Sequence, residues 1–446
     1  VCSVDTAGVE TVVTDRGGTP VPFDAGMPFD AANNGTSTHQ RGVGGTVQLA
    51  VDAALANREN HLVIGTSADE GWVTFSSQST LARLTATRGT DDSGIIDPDS
   101  RVAVDTVVRS LGAYATDTFA ARSDLFVTAA GRFNLSSLAL EDQIGDALTG
   151  KHTFHRLNPS LGVSYQPRTA FGVYGSYSES ARTPTPIELT CASPTDPCRL
   201  PNAFVADPPL EQVVARTIEL GARGRWTATG TTLDYTAATF RTTSANDILF
   251  ISSGMVANQG YFTNVGQTRR QGVEISLRGR HRLTPGGSRV EWSANYTLLH
   301  ATFMTPFTAL SATHPAAVNG SLAVPAGARI PGIPAQVAKV AVTWESAFGL
   351  AVGGTVVANS SQYYRGDEAN LLAPLAGYVV VNLLLSYRIS RPLSVTLRVN
   401  NVLDTAYSTF GVLGDATDVL GPIFDSPRFQ GRGAPRAAWL TFDLRY

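Results

Sequence analysis

Stretches of about ten residues with alternating apolar and polar side chains recur along this chain, and the connections between them are in turn short and long. At the C-terminus Leu440, Phe442, Leu444 and Tyr446 share one face, with Thr441, Asp443 and Arg445 on the other. A strand sets successive side chains on opposite faces, so such a segment has one oily and one polar wall. The same pattern runs through 392–402, 376–388, 288–304, 270–280, 212–226, 124–136 and 47–55. Short turns are expected at 57–60, 121–124, 166–169, 227–230, 283–287, 345–348 and 390–392. Long, Gly/Pro/Asp-rich connections are expected at 71–102, 138–152, 183–211, 243–268, 305–334, 363–376 and 404–435. A soluble sandwich has no reason to segregate connections by length. A transmembrane barrel does, with short periplasmic turns at one end and long extracellular loops at the other. The expected fold is therefore all-β: a transmembrane, antiparallel, up-and-down β-barrel with roughly 16 strands in this chain.

Composition agrees. Charged residues make up 16% of the 446 residues, below the roughly 25% of soluble domains, and no stretch approaches the roughly 20 apolar residues of a spanning helix. The net charge of −3 gives no basic footprint for nucleic acid. Tyr165, Trp226, Trp344, Tyr387 and Tyr446 fall at strand ends beside short turns, where an interfacial aromatic girdle would lie. The chain opens at Val1 without a methionine, a charged leader or an apolar leader core. Cys191 and Cys198 flank the polar stretch ASPTDP, a spacing that allows a small loop disulfide and an oxidising compartment, while Cys2 has no evident partner.

The sequence carries no catalytic signature: no G-x-S-x-G elbow, no H-E-x-x-H and no phosphate-binding G-x-x-x-x-G-K. No enzyme activity, cofactor or metal site is expected. His152 and His155 form an H-x-x-H, but within a strand residues three apart point to opposite faces and share no ion. Arg182 and Glu188 suit either an acid–base pair or an ion pair that holds a loop. Arg132, Arg156, Glu219, Arg223, Glu274, Arg278 and Glu291 fall on inward faces. They line a wet or plugged interior, or bond to one another across the wall.

Several segments resemble the C-terminal part of the barrel of TonB-dependent outer-membrane receptors. SYSESARTPTPIEL (176–189) resembles the family's S-x-x-R-x-P-T-x-x-E-L segment through Ser180, Arg182, Pro184 and Glu188. The run 191–224 resembles an extracellular loop followed by an E-x-G-x-R-G strand containing Glu219. YFTNVGQTRRQGVEISL (261–277) resembles N-x-G-x-x-R-x-x-G-V-E through Asn264, Gly266, Arg270, Gly272 and Glu274, with one residue of slack in spacing. IPGIPAQVAKV (330–340), VNNVLDTAYSTFG (399–411, with Asn401 and Tyr407) and PRAAWLTFDLRY (435–446) resemble later family strands. The matches run in family order over roughly residues 40 to 446.

The resemblance implies a barrel of about 22 strands plugged by an N-terminal globular domain, in the outer membrane of a Gram-negative bacterium. It implies active uptake of ferric siderophores, less often of cobalamin, haem or carbohydrate, energised by the TonB–ExbB–ExbD complex. It also implies contact with outer-membrane lipid and recognition of the terminal aromatic, Tyr446, by the barrel-assembly machinery. Neither a plug nor a TonB box is visible in this sequence. The expectation is one barrel domain over 1–446, cut short at its N-terminus, whose missing part would contact TonB. The sheet would then be open or distorted, with two unpaired edges. A passive porin-like channel is the alternative. Ligand contacts are expected from the long loops, with Tyr363, Tyr364, Arg365, Tyr407 and Phe410 as candidates. Aromatic and arginine side chains suit bulky, partly anionic chelates, and the same aromatics could instead pack loops together.

Overall fold

The structure, a computed structural model, describes residues 2–4, 10–12, 29, 31–87, 89–145, 148–189, 198–199, 210–252, 259–284, 286–311, 314–414 and 426–445. Fifteen strands form one antiparallel sheet in unbroken sequence order. Numbering only these, β1 is Ala31–Leu55, β2 Arg58–Leu84, β3 Thr90–Arg122, β4 Leu125–Asp142 and β5 Gly150–Arg168. Next come β6 Phe171–Arg182, β7 Val213–Ala228, β8 Thr231–Ala245, β9 Thr268–Arg282 and β10 Arg289–Phe303. The last are β11 Gln336–Glu345, β12 Leu350–Asn359, β13 Tyr378–Arg388, β14 Leu393–Asn400 and β15 Ala437–Leu444. Each strand pairs with its sequence neighbour, the meander of an up-and-down barrel wall. Among the described residues no ladder joins β1 to β15.

Register shows why the alternation works. Leu220 of β7 lies beside Thr239 of β8, which lies beside Val273 of β9, which lies beside Leu298 of β10. Partners in a ladder point the same way, so these rows build one continuous face. On that face Val47, Leu49, Ile218, Leu220, Leu440 and Phe442 are all exposed. A patch of such extent is untenable in water and is what a lipid-facing wall requires. The opposite face carries Tyr114, Arg132, Tyr174, Glu219 and Arg223, whose polar groups pair with one another across strands.

The short turns all close one end of the sheet. The tightest, Ala56–Asn57, has φ of 50° and 60°, the doubly left-handed pair that a two-residue hairpin needs to match strand twist. Tyr165, Trp226, Trp344 and Tyr387 stand on the apolar face at this end, and the Arg122 guanidinium lies 5.2 Å from the centre of the Tyr165 ring. Tyr446, Cys191 and the side chain of Cys198 lie outside the described residues.

One connection differs from expectation. The stretch 71–102 reads as a loop, yet β2 and β3 continue through it and turn only at 85–89. The backbone ladder runs on from Ser77–Val102 to Leu84–Thr90, with irregularities between Ser77 and Ser79 and between Thr80 and Ala82. Beyond the lipid belt no face has to be apolar. The hydrophobic signal therefore vanishes although the strands persist, and bulges take up the twist.

Buried apolar residues collect at the long-loop end, not inside the wall. One cluster gathers Val102, Val104, Leu138, Leu140, Leu189 and Val213. A second centres on Ile251, Tyr261, Phe303, Val324 and Ile330, and a third on Tyr364, Leu375 and Leu413. Each full burial of a Leu, Ile, Val or Phe side chain contributes about 1.5–3 kcal/mol. The loops thus form a packed cap with its own cores.

Candidate functional site

The cap is held by polar stitches, several made by the motif residues of the sequence. Thr185 caps the short helix Pro186–Leu189: Glu188 receives hydrogen bonds from the Thr185 N–H at 2.8 Å and its hydroxyl at 3.0 Å, while the Glu188 N–H donates to Thr185 Oγ1 at 3.4 Å. This reciprocal box satisfies helix N–H groups that otherwise have no partner. Arg182 donates to the same Glu188 oxygen at 2.7 Å, so the pair holds a loop, and Pro184 is fully buried beside it.

Asn264 joins two connections. Its Oδ1 accepts from the Glu211 N–H at 2.8 Å, and its amide donates to the carbonyls of Asn246 and Glu211 at 2.7 and 3.2 Å. Arg270 donates to Asp247 at 2.9 Å, and Thr268 donates to the same carboxylate oxygen at 2.5 Å. Gly266 adopts φ of 75°, the left-handed region that favours glycine. At Gly272 a Cβ would sit 2.0 Å from the Leu298 carbonyl oxygen, so no side chain fits. Asn401, buried with φ of 49°, accepts from the Thr405 N–H and donates to the carbonyls of Thr405 and Ala434, fixing the start of the last long loop. Glu219 instead faces the interior and accepts from the Tyr174 hydroxyl at 2.8 Å.

Three loops, 304–335, 360–377 and 401–436, interlock. His314 Nε2 lies 3.1 Å from Asp367 Oδ1, and Asp367 also accepts from the N–H groups of Leu371 and Leu372. The Ser311 hydroxyl donates to the Gly366 carbonyl, and Asn370 both accepts from and donates to the Arg329 backbone. Arg365 bridges two of the loops through its backbone: its N–H donates to the Gly411 carbonyl, and its carbonyl accepts from the Leu413 N–H. Glu368 is buried. Its Oε1 accepts from the Gly366 N–H, while its Oε2 has no partner among the described residues. Burial pushes this carboxyl up to about 7, with neighbouring Asp367 adding to the rise.

The five candidate ligand residues fall on this interlocked part and divide by role. Tyr364 is buried, its hydroxyl accepting from the Gln430 amide at 2.8 Å, so it is core. Tyr363 is half-buried, with its carbonyl accepting from the Gly332 N–H. Tyr407 is half-buried against Tyr378, with ring centres 4.6 Å apart. Arg365 and Phe410 come together at the surface, the guanidinium 5.4 Å from the ring centre and both side chains exposed. A cation held over an exposed ring presents a charged and an apolar surface side by side. The sequence pattern does not single out His314, Asp367 and Glu368. The only trace is an Asp–Glu pair inside an otherwise apolar loop stretch, unusual because buried carboxylates demand partners.

Inside the wall the charged residues mostly bond to their neighbours. Arg132 donates to Asn134 and Ser67, Arg223 lies over the Tyr174 ring, and Arg280 and Arg289 both meet Glu291. His152 and His155 lie on opposite faces of β5, registered with Leu138 and Leu135. Among the described residues no three His, Cys, Asp or Glu side chains gather as a metal site.

The family described as TonB dependent receptor-like, beta-barrel, matches residues 10–402. No curated protein matches the chain. Among solved structures, the ferric yersiniabactin uptake receptor FyuA of Yersinia pestis is similar, with 18% identity and a TM-score of 0.65 over 94% of this chain and 56% of its own. The ferric-catecholate import receptor Fiu of E. coli K12, in its closed form, has 18% identity and a TM-score of 0.64 over 91% of this chain and 55% of its own. The siderophore receptor PiuA of Acinetobacter baumannii has 17% identity and a TM-score of 0.63 over 92% and 56%. The chain thus spans a little over half the length of these structures, and at such identity the likeness is one of fold. By its sequence match over most of its length, the chain belongs to the TonB-dependent receptor family of outer-membrane β-barrels.

Proposed function

We propose that this protein takes up a bulky, scarce nutrient across the outer membrane, a ferric siderophore above all, with energy supplied by the TonB–ExbB–ExbD complex. The observation that carries the reading is the interlocked cap, which holds Arg365 and Phe410 together at the surface, with Tyr363 and Tyr407 half-buried on the same loops. A rigid frame with a few exposed cationic and aromatic groups is how a site gains affinity without ordering cost, and a ferric chelate offers both negative charge and flat apolar surface. Several similar structures are receptors for ferric chelates by name, although a copper transporter, OprC, is also similar in fold. In this reading Tyr446 serves recognition by the barrel-assembly machinery, the apolar face meets lipid, and Cys191 and Cys198 close a loop. The family match speaks against the passive-channel alternative.

Growth of a deletion strain on single iron sources tests the reading. Loss of growth on one chelate class, restored by the gene but not by a copy carrying Arg365→Ala and Phe410→Ala, supports it. Undiminished growth on every chelate, with copper uptake impaired instead, moves the substrate to a different class.

A further inference from the structure

β5 and β6 separate partway up the wall. Their ladder rises from Arg168–Phe171 to Ser160–Ser178 and stops there. Above that level β5 stays paired with β4 as far as Gly150, and β6 stays paired with β7 as far as Arg182. The next residue of β5 is Pro159, which has no N–H to donate and is suited to a strand edge. Residues 150–159 of β5 and 179–182 of β6 thus border a seam that no backbone ladder closes among the described residues.

One bond shows that the seam passes through the wall. Register sets Asn158 beside Arg132, so Asn158 and Arg156 belong to the interior face. Tyr177 lies beside the lipid-facing Ile218, so Tyr177 and Glu179 belong to the outer face. Yet Arg156 donates to Glu179 at 2.8 Å. Opposite faces of an intact sheet do not meet, so the guanidinium reaches through the gap. Glu179 also accepts from the Tyr177 hydroxyl at 2.7 Å and from Arg216 at 3.1 Å.

The two sides of the seam differ in chemistry. Inside, Arg132 bonds to Asn134 and Ser67, which leave its charge unneutralised. Arg156 Nε and Asn158 Oδ1 are buried with no partner among the described residues. Arg132 and Arg156 are diagonal neighbours, roughly 7–8 Å apart at the backbone, so one anionic group can accept from both. Outside, Leu157 and Pro159 are exposed, with Tyr177 across the seam. Ser160 stands five residues along β5 from Tyr165 of the periplasmic girdle. At roughly 3.4 Å per residue and a tilt near 40°, that is about 13 Å into the roughly 25 Å apolar belt, so the seam opens in the outer half of the membrane.

We propose that the seam is a lateral portal for an amphiphilic ligand, whose anionic head sits on Arg132 and Arg156 in the lumen while a single alkyl tail passes out between β5 and β6. The head draws Arg156 away from Glu179, which keeps Arg216 and Tyr177 and is not left unpaired. In the uptake reading above, on which this portal rests, the substrate narrows to a chelate with one tail. Purified full-length chain in lipid nanodiscs, titrated with ferric citrate and with the ferric complex of monododecyl citrate, tests it, with binding to empty discs subtracted. The tailed complex should bind about tenfold tighter, and Arg132→Gln with Arg156→Gln should weaken both complexes by about tenfold or more. Leu157→Cys with Ala181→Cys sets a disulfide across the seam and keeps both arginines. It should abolish the advantage of the tail when oxidised and return it on reduction, with wild type carried through the same reductant. Heat-modified gel migration reports that the variants remain folded. Equal binding of the two complexes overturns the portal and leaves chelate uptake standing. A tail advantage that survives the oxidised disulfide overturns it too, because the tail would then only be partitioning beside the wall. Retention of neither complex overturns the anionic site with it.

Discussion

His314 Nε2 and Asp367 Oδ1 lie 3.1 Å apart with both side chains wholly buried, joining loop 304–335 to loop 360–377. The Ala316 N–H donates to His314 Nδ1 at 3.0 Å. That nitrogen must carry a lone pair, so the proton sits on Nε2 and is donated to the carboxylate. Asp367 then gathers three donors, counting the N–H groups of Leu371 and Leu372. Asp367→Ala would leave buried donors unmatched, at about 1–3 kcal/mol each. The expected outcome is a cap loosened by about 3 kcal/mol or more, seen as faster hydrogen exchange in both loops with the wall unchanged. Unaltered exchange in loop 304–335 would show that the pair does not couple them.

Glu368 makes the cap sensitive to pH. Its carboxyl is raised from 4.5 to about 7 by burial. A folded loop therefore keeps the proton through a range in which an unfolded loop has lost it. The group's contribution is fully present below 4.5 and is lost as pH rises toward about 7. The difference corresponds to about 3 kcal/mol. Protease cleavage within 360–377 should accelerate between pH 5 and pH 8 in wild type, after correction for protease activity, and Glu368→Gln should flatten the profile. A flat wild-type profile would mean that Glu368 is charged or solvated throughout.

The helix Pro186–Leu189 should depend on Glu188 more than on Arg182. Glu188→Ala removes both the capping bond and the ion pair, whereas Arg182→Ala removes only a pair whose arginine is half-exposed. Losses of about 1–2 kcal/mol and below about 1 kcal/mol are expected, respectively. Glu188→Gln should retain much of the capping, since an amide oxygen still accepts from the Thr185 N–H. Local hydrogen exchange over 183–189 measures the order, and a larger effect at Arg182 reverses the assignment.

The ligand candidates predict a split between affinity and stability. Arg365→Ala and Phe410→Ala should each weaken chelate binding about tenfold and leave the cap intact, because both are exposed. Tyr364→Phe should lose about 1 kcal/mol of stability with its Gln430 bond and leave affinity unchanged. Titration calorimetry alongside thermal denaturation separates the two effects.

Legibility followed the lipid. Where one face must be apolar, as along Leu220, Val273 and Leu298, the two-residue period marks the strand and its orientation. Beyond the belt that constraint lapses, which is why the ladder of Ser77 to Leu84 with Thr90 to Val102 reads as loop. In the cap, the Thr185–Glu188 box spans four consecutive residues, yet it lies inside 183–211, which reads only as loop because no hydrophobic period marks a single helical turn. The His314–Asp367 bond is not legible either, because 53 residues separate partners brought together only by the wall beneath them. Tyr363, Tyr364 and Arg365 are adjacent in sequence and look equivalent there, yet they divide into half-buried, buried and exposed positions, which only the packing decides.

The most direct measurement of energised uptake is the entry of isotopically labelled iron, bound to the chelate that the growth test selects, into intact cells with and without a protonophore. Uptake that requires the gene, is abolished in a strain lacking TonB and collapses when the proton gradient is dissipated is the predicted result. Gene-dependent uptake that persists without TonB and in the presence of the protonophore would contradict it and make the protein a passive channel.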